Sequence, residues 1–511
     1  MLLKRFRIPV VLLVGLLGLL RPAAVALSAA EWAPVADGIQ YQQFTLAGPN
    51  QAYVARMDRS REDLIVDSLL GQGNLYEGTE AVSGMARRYD GLVVPWAGSW
   101  DSLGRVAVAI NGIFYDPETG IPETGMIQSG WYIKRFDDLG GGSGFAWKSD
   151  GSAFVGGCAY HEPERQIVRF LNRDRSMEIA GINVEQSHDG IVVYTPQFDA
   201  NTHTSDGGVE VRVEMLRPAG ISPAPQMAVG YIRGIRDGWG STPIPFDHLV
   251  LSARGEAGRR LLENSGIGDQ VGISQQITHL ETDCQTAAER DWNQTFASIG
   301  GSFNFLKESE IQSFDDNLGA VQRHPRTVVC FNDEYIYFVV VDGRQPGYSI
   351  GMTTDELGRF CLETLDAEWG INQDGGGSST MWVNGRVVNR PSDGQERLVA
   401  NGLAMVALEP LDRSTVFHPG DPVLTMAPAA VRLGPGDHYA VVATVPQDAG
   451  GVVLPHLNGL NGVFAKGVYW WRVTFEGAQG WVSQDDIFDG TGWAGSLKTV
   501  HDKLLRIWDD G

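Results

Sequence analysis

Thr327-Val328-Val329-Cys330-Phe331, Asn332-Asp333-Glu334, Tyr335-Ile336-Tyr337-Phe338-Val339-Val340-Val341 is the stretch on which the fold turns. Two runs of β-branched and aromatic residues flank three polar residues. That pattern predicts two strands joined as a hairpin. Working outward, His324-Pro325-Arg326 leads in and Asp342-Gly343-Arg344-Gln345-Pro346-Gly347 leads out. Downstream, Thr353-x-x-Glu356 fits a capping box, and Leu357, Phe360, Cys361 and Leu365 follow at helical spacing. Their apolar face, with Cys361 on it, would lie on a sheet, so a Cys330–Cys361 bridge is one possibility. Then come Asn372-Gln373-Asp374 and the run Gly375-Gly376-Gly377-Ser378-Ser379-Thr380, ahead of the apolar Met381-Trp382-Val383.

Strands of the same kind are predicted at Val106 to Ile110, Ile191 to Tyr194 and Val209 to Met215, with Asn111-Gly112 ending the first. A second helix is predicted over Thr79 to Tyr89, with Val82, Met85 and Ala86 inward. The expectation for residues 31–411 is thus an α+β, β-rich mixed-sheet domain with few helices. Composition shifts near Pro410. Residues 415–490, with Val431 to Gly436, Tyr469 to Val473 and Gly480 to Val482, read as a small C-terminal all-β barrel of five or six strands. This part resembles the bacterial Src-homology-3-like module, which implies a cell-wall polymer as a partner or mere packing on its neighbour. Residues 491–511 form a C-terminal appendix, with an amphipathic stretch at Leu497 to Trp508.

Residues 1–30 read as a signal peptide. Lys4, Arg5 and Arg7 precede 13 apolar residues, Ile8 to Leu20, and small residues follow. The run falls short of the ~20 residues of a spanning helix, and Arg21 breaks it. A secreted, periplasmic or extracellular protein with no stable membrane span after cleavage is expected; an uncleaved anchor is the alternative. In an oxidising compartment Cys158, Cys284, Cys330 and Cys361 could pair in any of three ways.

The whole chain has 511 residues, with Asp+Glu 62 against Lys+Arg 40, a formal charge of −22. That balance argues against a duplex nucleic-acid partner. There is no Gly-x-Ser-x-Gly elbow, no His-Glu-x-x-His and no P-loop. The ten histidines show no ligand spacing, so no metal centre built on them is expected.

Three polar segments carry the candidate chemistry. Asn111 would sit exposed at a strand end, its amide free to donate and accept. Asp342-Gly343-Arg344 puts a carboxylate beside a guanidinium, whose fixed fork suits phosphate. Gly375 to Ser379 reads as a nest of inward N–H groups, with Asp374 at its head.

In order and content these segments resemble the phosphodiester glycosidase family. The resemblance spans about 40 to 410. It takes in Glu77-Gly78-Thr79-Glu80-Ala81-Val82 with Met85-Ala86, Pro122 to Gly130, Gly181-Ile182-Asn183, and Val192 to Pro196. It continues through Ile299-Gly300-Gly301 and His324 to Val406, with Val388 to Gly394, Glu396-Arg397 and Ala400-Asn401. Ile113, Tyr115, Gln373 and Gly301-Ser302-Phe303-Asn304 depart from the family pattern. The resemblance implies a hydrolase that cleaves between a sugar's anomeric carbon and a phosphodiester, here on an envelope or extracellular glycan; the leader and the compact barrel module point to a bacterial source. Asp342 and Asp374 would be catalytic carboxylates. Asn111, Phe114, Arg326, Arg344, Arg397 and Gly375, Gly376, Gly377, Ser378, Ser379 and Thr380 would hold sugar and phosphate. The scheme requires no cofactor, though Asp342 and Asp374 could hold a divalent cation. Two other readings share the fold: a non-catalytic exopolysaccharide- or wall-binding protein, and a glycosidase acting on ordinary glycosidic bonds of exopolysaccharide.

Overall fold

The structure, a computed structural model, describes residues 31–491, apart from 77, 137–140 and 187–189. The predicted signal peptide, Glu77, Gly140 and the amphipathic stretch at Leu497 to Trp508 lie outside the described residues.

The hairpin forms as expected. Arg326–Phe331 and Tyr335–Val341 pair antiparallel, with Thr327 opposite Val340 and Val329 opposite Phe338. They sit at the centre of an eight-strand sheet. Its order is Ala33–Ala36, Ile39–Leu46, Asn50–Asp58, Tyr335–Val341, Arg326–Phe331, Trp369–Asn372, Leu306–Lys307 and Glu310–Ile311. Strand alternation sends Val328, Cys330, Val339 and Val341 to one face, against Leu357, Phe360, Cys361 and Leu365 of helix Thr354–Leu365. Val329, Phe331, Phe338 and Val340 face the other way, into a core shared with a second sheet. Both faces are covered, which is why these strands read as unbroken apolar runs. Each fully buried Val, Ile or Phe contributes about 1.5–3 kcal/mol to this packing.

The helix start is capped on both sides: Thr353 Oγ1 accepts from Glu356 N (3.1 Å), and Glu356 Oε2 accepts from Thr353 N (3.1 Å). The second predicted helix is shorter than expected, Val82–Tyr89. Glu80 instead bridges to Val399, and Val82, Met85 and Ala86 are buried as foreseen.

The second sheet has the order Arg386–Val387, Met381–Val383, Ser99–Asn111, Asn401–Pro410 and Leu64–Leu70, with Val93–Trp96 on Ser99–Asn111. A third sheet of six strands includes Gly141–Lys148 and Ala153–Tyr160, and the Cys158–Cys284 disulfide ties Ala153–Tyr160 to the loop after the neighbouring edge strand Thr278–Leu280. Cys330 and Cys361 are not bridged: both are buried thiols, their Sγ atoms 3.1 Å apart in the core.

Between Ile167 and Ser274 seven strands close into a barrel that the sequence reading did not foresee. It contains both strands expected at Ile191–Tyr194 and Val209–Met215, and one parallel pair, Arg175–Ile182 with Ile191–Tyr194. The C-terminal unit is all-β. Its eight strands, from Pro422–Thr425 to Ile487–Asp489, form one sheet around Val431, Trp471, Val473 and Val482, more strands than the five or six expected. Among the described residues, no helix is long and apolar enough to cross a membrane.

Candidate active site

The segments singled out by sequence converge where the first two sheets meet. Asp374 follows strand Trp369–Asn372 and precedes the 3-10 turn Gly376–Ser378. That turn lies against the end of strand Ser99–Asn111, because Asp374 N donates to Gly112 O (2.9 Å).

Asn111 is the pin of this junction, and the expectation that it greets a sugar is corrected. It is wholly buried. Its Nδ2 donates to Asp374 O (2.8 Å) and Gly112 O (3.3 Å), and its Oδ1 accepts from Thr327 Oγ1 (2.7 Å) and Thr380 N (3.1 Å). The amide's full bonding capacity is therefore met inside the protein. It is flanked by Met381–Val383 and Asn401–Pro410, which pair with its strand on either side.

Arg326 is likewise corrected from phosphate ligand to structural group. It is 3% exposed. Its Nε donates to Met352 O (2.8 Å), and its Nη2 to the carbonyls of Gly319 (2.7 Å), Gln322 (2.9 Å) and Ala320 (3.3 Å). It thus closes the C-terminal end of the short helix Leu318–Val321. Burial and the nearby Arg344 bring its pKa down to about 10.

The glycine run is not a nest of free donors. Gly376 N donates to Pro325 O (3.0 Å), Ser378 N to Gly375 O (3.3 Å) and Ser379 N to Gly376 O (3.3 Å). Gly375 N serves the Asp374 carboxylate. The missing side chains matter for another reason. A Cβ on Gly376 (φ 64°) would stand 3.0 Å from Arg344 Nη1 and 3.2 Å from Nη2. A Cβ on Gly377 would collide with Arg397 Nη2 and the Asp393 carboxylate. Each glycine is the clearance under one guanidinium. Ser379 and Thr380 are buried, and their hydroxyls find no protein partner, which suits internal water rather than substrate.

What remains open to solvent is a compact polar group. Arg344 is exposed, with a left-handed backbone (φ 58°), and its Nη2 lies 3.3 Å from His324 Nδ1. Arg397 pairs with Asp393 (2.7 Å) and donates from Nη1 to Ser378 Oγ (3.3 Å). Asp374 is half-buried between them. Burial raises its pKa, opposed by the Ser378 hydroxyl, Arg397, Gly375 N–H and Arg344. Tyr115 is close enough to feel both Arg397 and Asp374, and donates to Leu398 O (2.8 Å). Phe114, one residue before it, is exposed.

Asp342 belongs to a separate group behind the turn. It is 1% exposed. Its carboxylate accepts from Asn389 Nδ2 (3.0 Å) and from Arg390 N (2.9 and 3.1 Å), and Tyr53 and Tyr348, 2.6 Å apart at their hydroxyls, also bond it. Burial raises its pKa and these donors oppose the rise. Asn389 links the two groups, because its Nδ2 also donates to Ser379 O (3.0 Å) and its Oδ1 accepts from Met381 N (2.8 Å). The sequence reading quoted His324, Asn389 and Asp393 within motifs without assigning them to the site. Their signal was the polar turn Asn389 to Gly394 after a strand, and a histidine two residues before a strand.

Fold and site together define a β-rich protein with a polar centre in which a carboxylate faces two guanidiniums. Residues 249–406 match the family model of phosphodiester glycosidases. Similar solved structures include a hypothetical protein from Synechocystis: 17% identity, TM-score 0.47, 73% of this chain and 62% of that one covered. The match therefore spans less than two thirds of that protein's length. A putative exported protein from Burkholderia pseudomallei K96243 shows 19% identity and a TM-score of 0.45, covering 71% and 75%. The catalytic domain of zebrafish N-acetylglucosamine-1-phosphodiester α-N-acetylglucosaminidase, auto-inhibited by its pro-peptide, shows 15% identity and a TM-score of 0.34, covering 74% and 86%. No curated protein matches the sequence.

Proposed function

We propose that the protein is an exported hydrolase that cleaves the bond between a sugar's anomeric carbon and a phosphodiester on an envelope or extracellular glycan. The observation that carries this reading is the half-buried Asp374 between Arg344 and Arg397, each guanidinium seated over a glycine. Export is supported by the leader-like residues 1–30 and by a disulfide, which belongs to an oxidising compartment.

Water adds at the anomeric carbon and gives up a proton to Asp374 or to solvent, the bond between that carbon and the bridging phosphodiester oxygen breaks, and the phosphate monoester leaves with the electron pair. The ring develops positive charge, which Asp374 offsets as nucleophile, base or electrostatic partner. The phosphate carries its own negative charge, so it departs without a strong acid. Arg344 and Arg397 hold it through charge-assisted hydrogen bonds. His324 orients Arg344, and Asp393 orients Arg397. Asp342 acts as a positioning residue that fixes the Asn389–Arg390 turn. No step is routed through a metal ion. A formal charge of −22 repels an anionic substrate at long range, so capture depends on this local cationic group.

The test is hydrolysis of the methyl ester of a hexose 1-phosphate by purified protein. Asp374→Asn should lower kcat/KM by about a hundredfold or more without lowering the melting temperature. Full activity in Asp374→Asn rejects the site. Turnover of aryl glycosides but not of the phosphodiester would favour an ordinary glycosidase, and polymer binding without turnover would favour a binding protein.

A further inference from the structure

A second polar group, sharing no residue with the Asp374 site, lies where the outer face of the closed barrel meets the C-terminal sheet. Strand Val209–Met215 turns Val211 and Val213 into the barrel core, so Arg212 and Glu214 point outward. Glu214 lies opposite His248 on the neighbouring strand. Both buried carboxylates here are already clamped by cationic or imidazole groups. Glu214 takes Arg472 Nη1 (2.7 Å) and Arg233 Nε (2.7 Å); Asp247 takes His248 Nδ1 (2.7 Å) and His456 Nε2 (2.8 Å). Glu214, Asp247 and His456 lie close enough to share a metal ion, but Arg472 and Arg233 occupy the carboxylate that would have to bind it.

Two groups are left over. The Arg212 side chain makes no hydrogen bond or ion pair among the described residues; Asp247 and Glu214 act on it only through space, and its Nε is buried without a partner. His248 is 1% exposed, and its Nε2 has no partner either. Both line a cavity of about 200 Å³ together with Arg432, Arg472 and Trp481. Three guanidiniums and one carboxylate, Asp247, line it, in a chain whose overall charge is strongly negative. Gln479 and Val442 are exposed at its mouth. An engineered cavity of about 150 Å³ takes up benzene, so one six-membered ring is in range.

We propose that this cavity binds a single anionic saccharide unit, its carboxylate or phosphate on Arg212 and a ring hydroxyl on His248 Nε2. The tautomer follows from the neighbour: Nδ1–H donates to Asp247, so Nε2 presents a lone pair that accepts from a hydroxyl. Burial lowers the His248 pKa, which keeps that lone pair available. The saccharide's anion supplies the partner that Arg212 lacks. Because strands of both units wall the cavity, an occupant would also hold the C-terminal sheet against the barrel. The site is separate from Asp374, so it would serve to anchor an acidic polymer while hydrolysis occurs elsewhere.

The full chain is titrated calorimetrically with glucuronate and with glucose 6-phosphate, which separate a carboxylate from a phosphate ligand; glucose and inorganic phosphate serve as controls. At least one acid sugar should bind, and both controls should bind at least about tenfold more weakly. Arg212→Met should abolish that binding without lowering the melting temperature, because it removes a guanidinium that is costly to bury and forms no hydrogen bond or ion pair. Ala443→Phe, in the cavity wall, should block binding while leaving every charge in place. Asp374→Asn should bind as wild type does, so failure of the proposed hydrolysis would leave this result intact. Binding unchanged in both cavity variants, or no binding of either acid sugar, overturns the proposal. Equal binding of inorganic phosphate and glucose 6-phosphate overturns the saccharide part.

Discussion

Gly377→Ala separates structure from catalysis more cleanly than removal of a charged group. Gly377 is not among the residues with positive φ, so alanine meets no backbone strain there. The new methyl would instead collide with Arg397 Nη2 and the Asp393 carboxylate, both at the ends of flexible, roughly 40%-exposed side chains. They can withdraw into solvent. The ion pair they form is worth about 0–1 kcal/mol at that exposure, and replacing glycine returns about 0.4–1 kcal/mol by restricting the unfolded chain. The two nearly cancel, so the melting temperature should hardly move.

Activity should respond very differently. Arg397 must shift by roughly 1 Å or more, and a misplacement of that size near reacting atoms costs on the order of a hundredfold. An independent route agrees: a hydrogen bond to a charged group contributes about 1.5–3 kcal/mol, or roughly one to two decades of rate at ~1.36 kcal/mol each. Steady-state kinetics on a sugar-1-phosphodiester and calorimetric melting of the same preparation read both quantities. If kcat/KM stays within about twofold of wild type while melting is unchanged, Arg397 does not hold the departing phosphate. If melting falls sharply instead, the Arg397–Asp393 pair is structural.

Arg326→Met should cost about 3 kcal/mol, read as a lower urea midpoint, because three close carbonyl partners lose their donor; an unchanged midpoint would return Arg326 to the list of substrate ligands. Native protein should not react with a thiol reagent, and unfolded, unreduced protein should titrate two thiols, since Cys330 and Cys361 are buried and burial raises the Cys330 pKa; no thiol after unfolding would mean that the pair had oxidised. The acid limb of kcat/KM should lie above the ordinary carboxylate value of 3.8, because burial raises the Asp374 pKa and only the ionised form assists the sugar cation; a limb that persists in Asp374→Asn belongs to another group. The same shift sets a stability sign. A folded-state pKa above the unfolded one favours folding below 3.8, and that contribution is lost as pH rises through the folded value. Asp374→Asn should therefore melt no lower than wild type at neutral pH.

The central hairpin and the capped helix were legible because their signals are local. Val328 to Phe331 and Ile336 to Val341 carry β-branched and aromatic side chains at nearly every position, and Thr353 and Glu356 sit three apart ahead of an apolar stripe. The barrel was not legible. Its strand Ala228–Asp237 mixes two glycines with two arginines and an aspartate, and closure rests on pairings such as Val229 with Gly272 that no short window contains. Asn111 failed for a related reason. A strand ending in Asn-Gly looks solvent-facing in sequence, but Met381–Val383 and Asn401–Pro410 flank it and the Asp374 turn lies on top. Side-chain burial there is decided by strands some 270 and 290 residues away.

The glycine run shows how one composition supports two electrostatic designs. Read alone, Gly375-Gly376-Gly377 suggests fixed backbone dipoles gripping an anion. In the fold, the amides of Gly375 and Gly376 already have partners, and the absent Cβ atoms of Gly376 and Gly377 let Arg344 and Arg397 settle beside Asp374 instead. Fixed dipoles would need little reorganisation when charge develops. Exposed guanidiniums move, and they are weakened by salt when no substrate shields them. A site of this design should therefore bind its anion with a marked dependence on ionic strength, which a backbone nest packed into the core would not show. Salt should raise KM while kcat changes little, because an occupied, water-poor site screens itself. A KM indifferent to salt would argue that the guanidiniums are not what holds the phosphate.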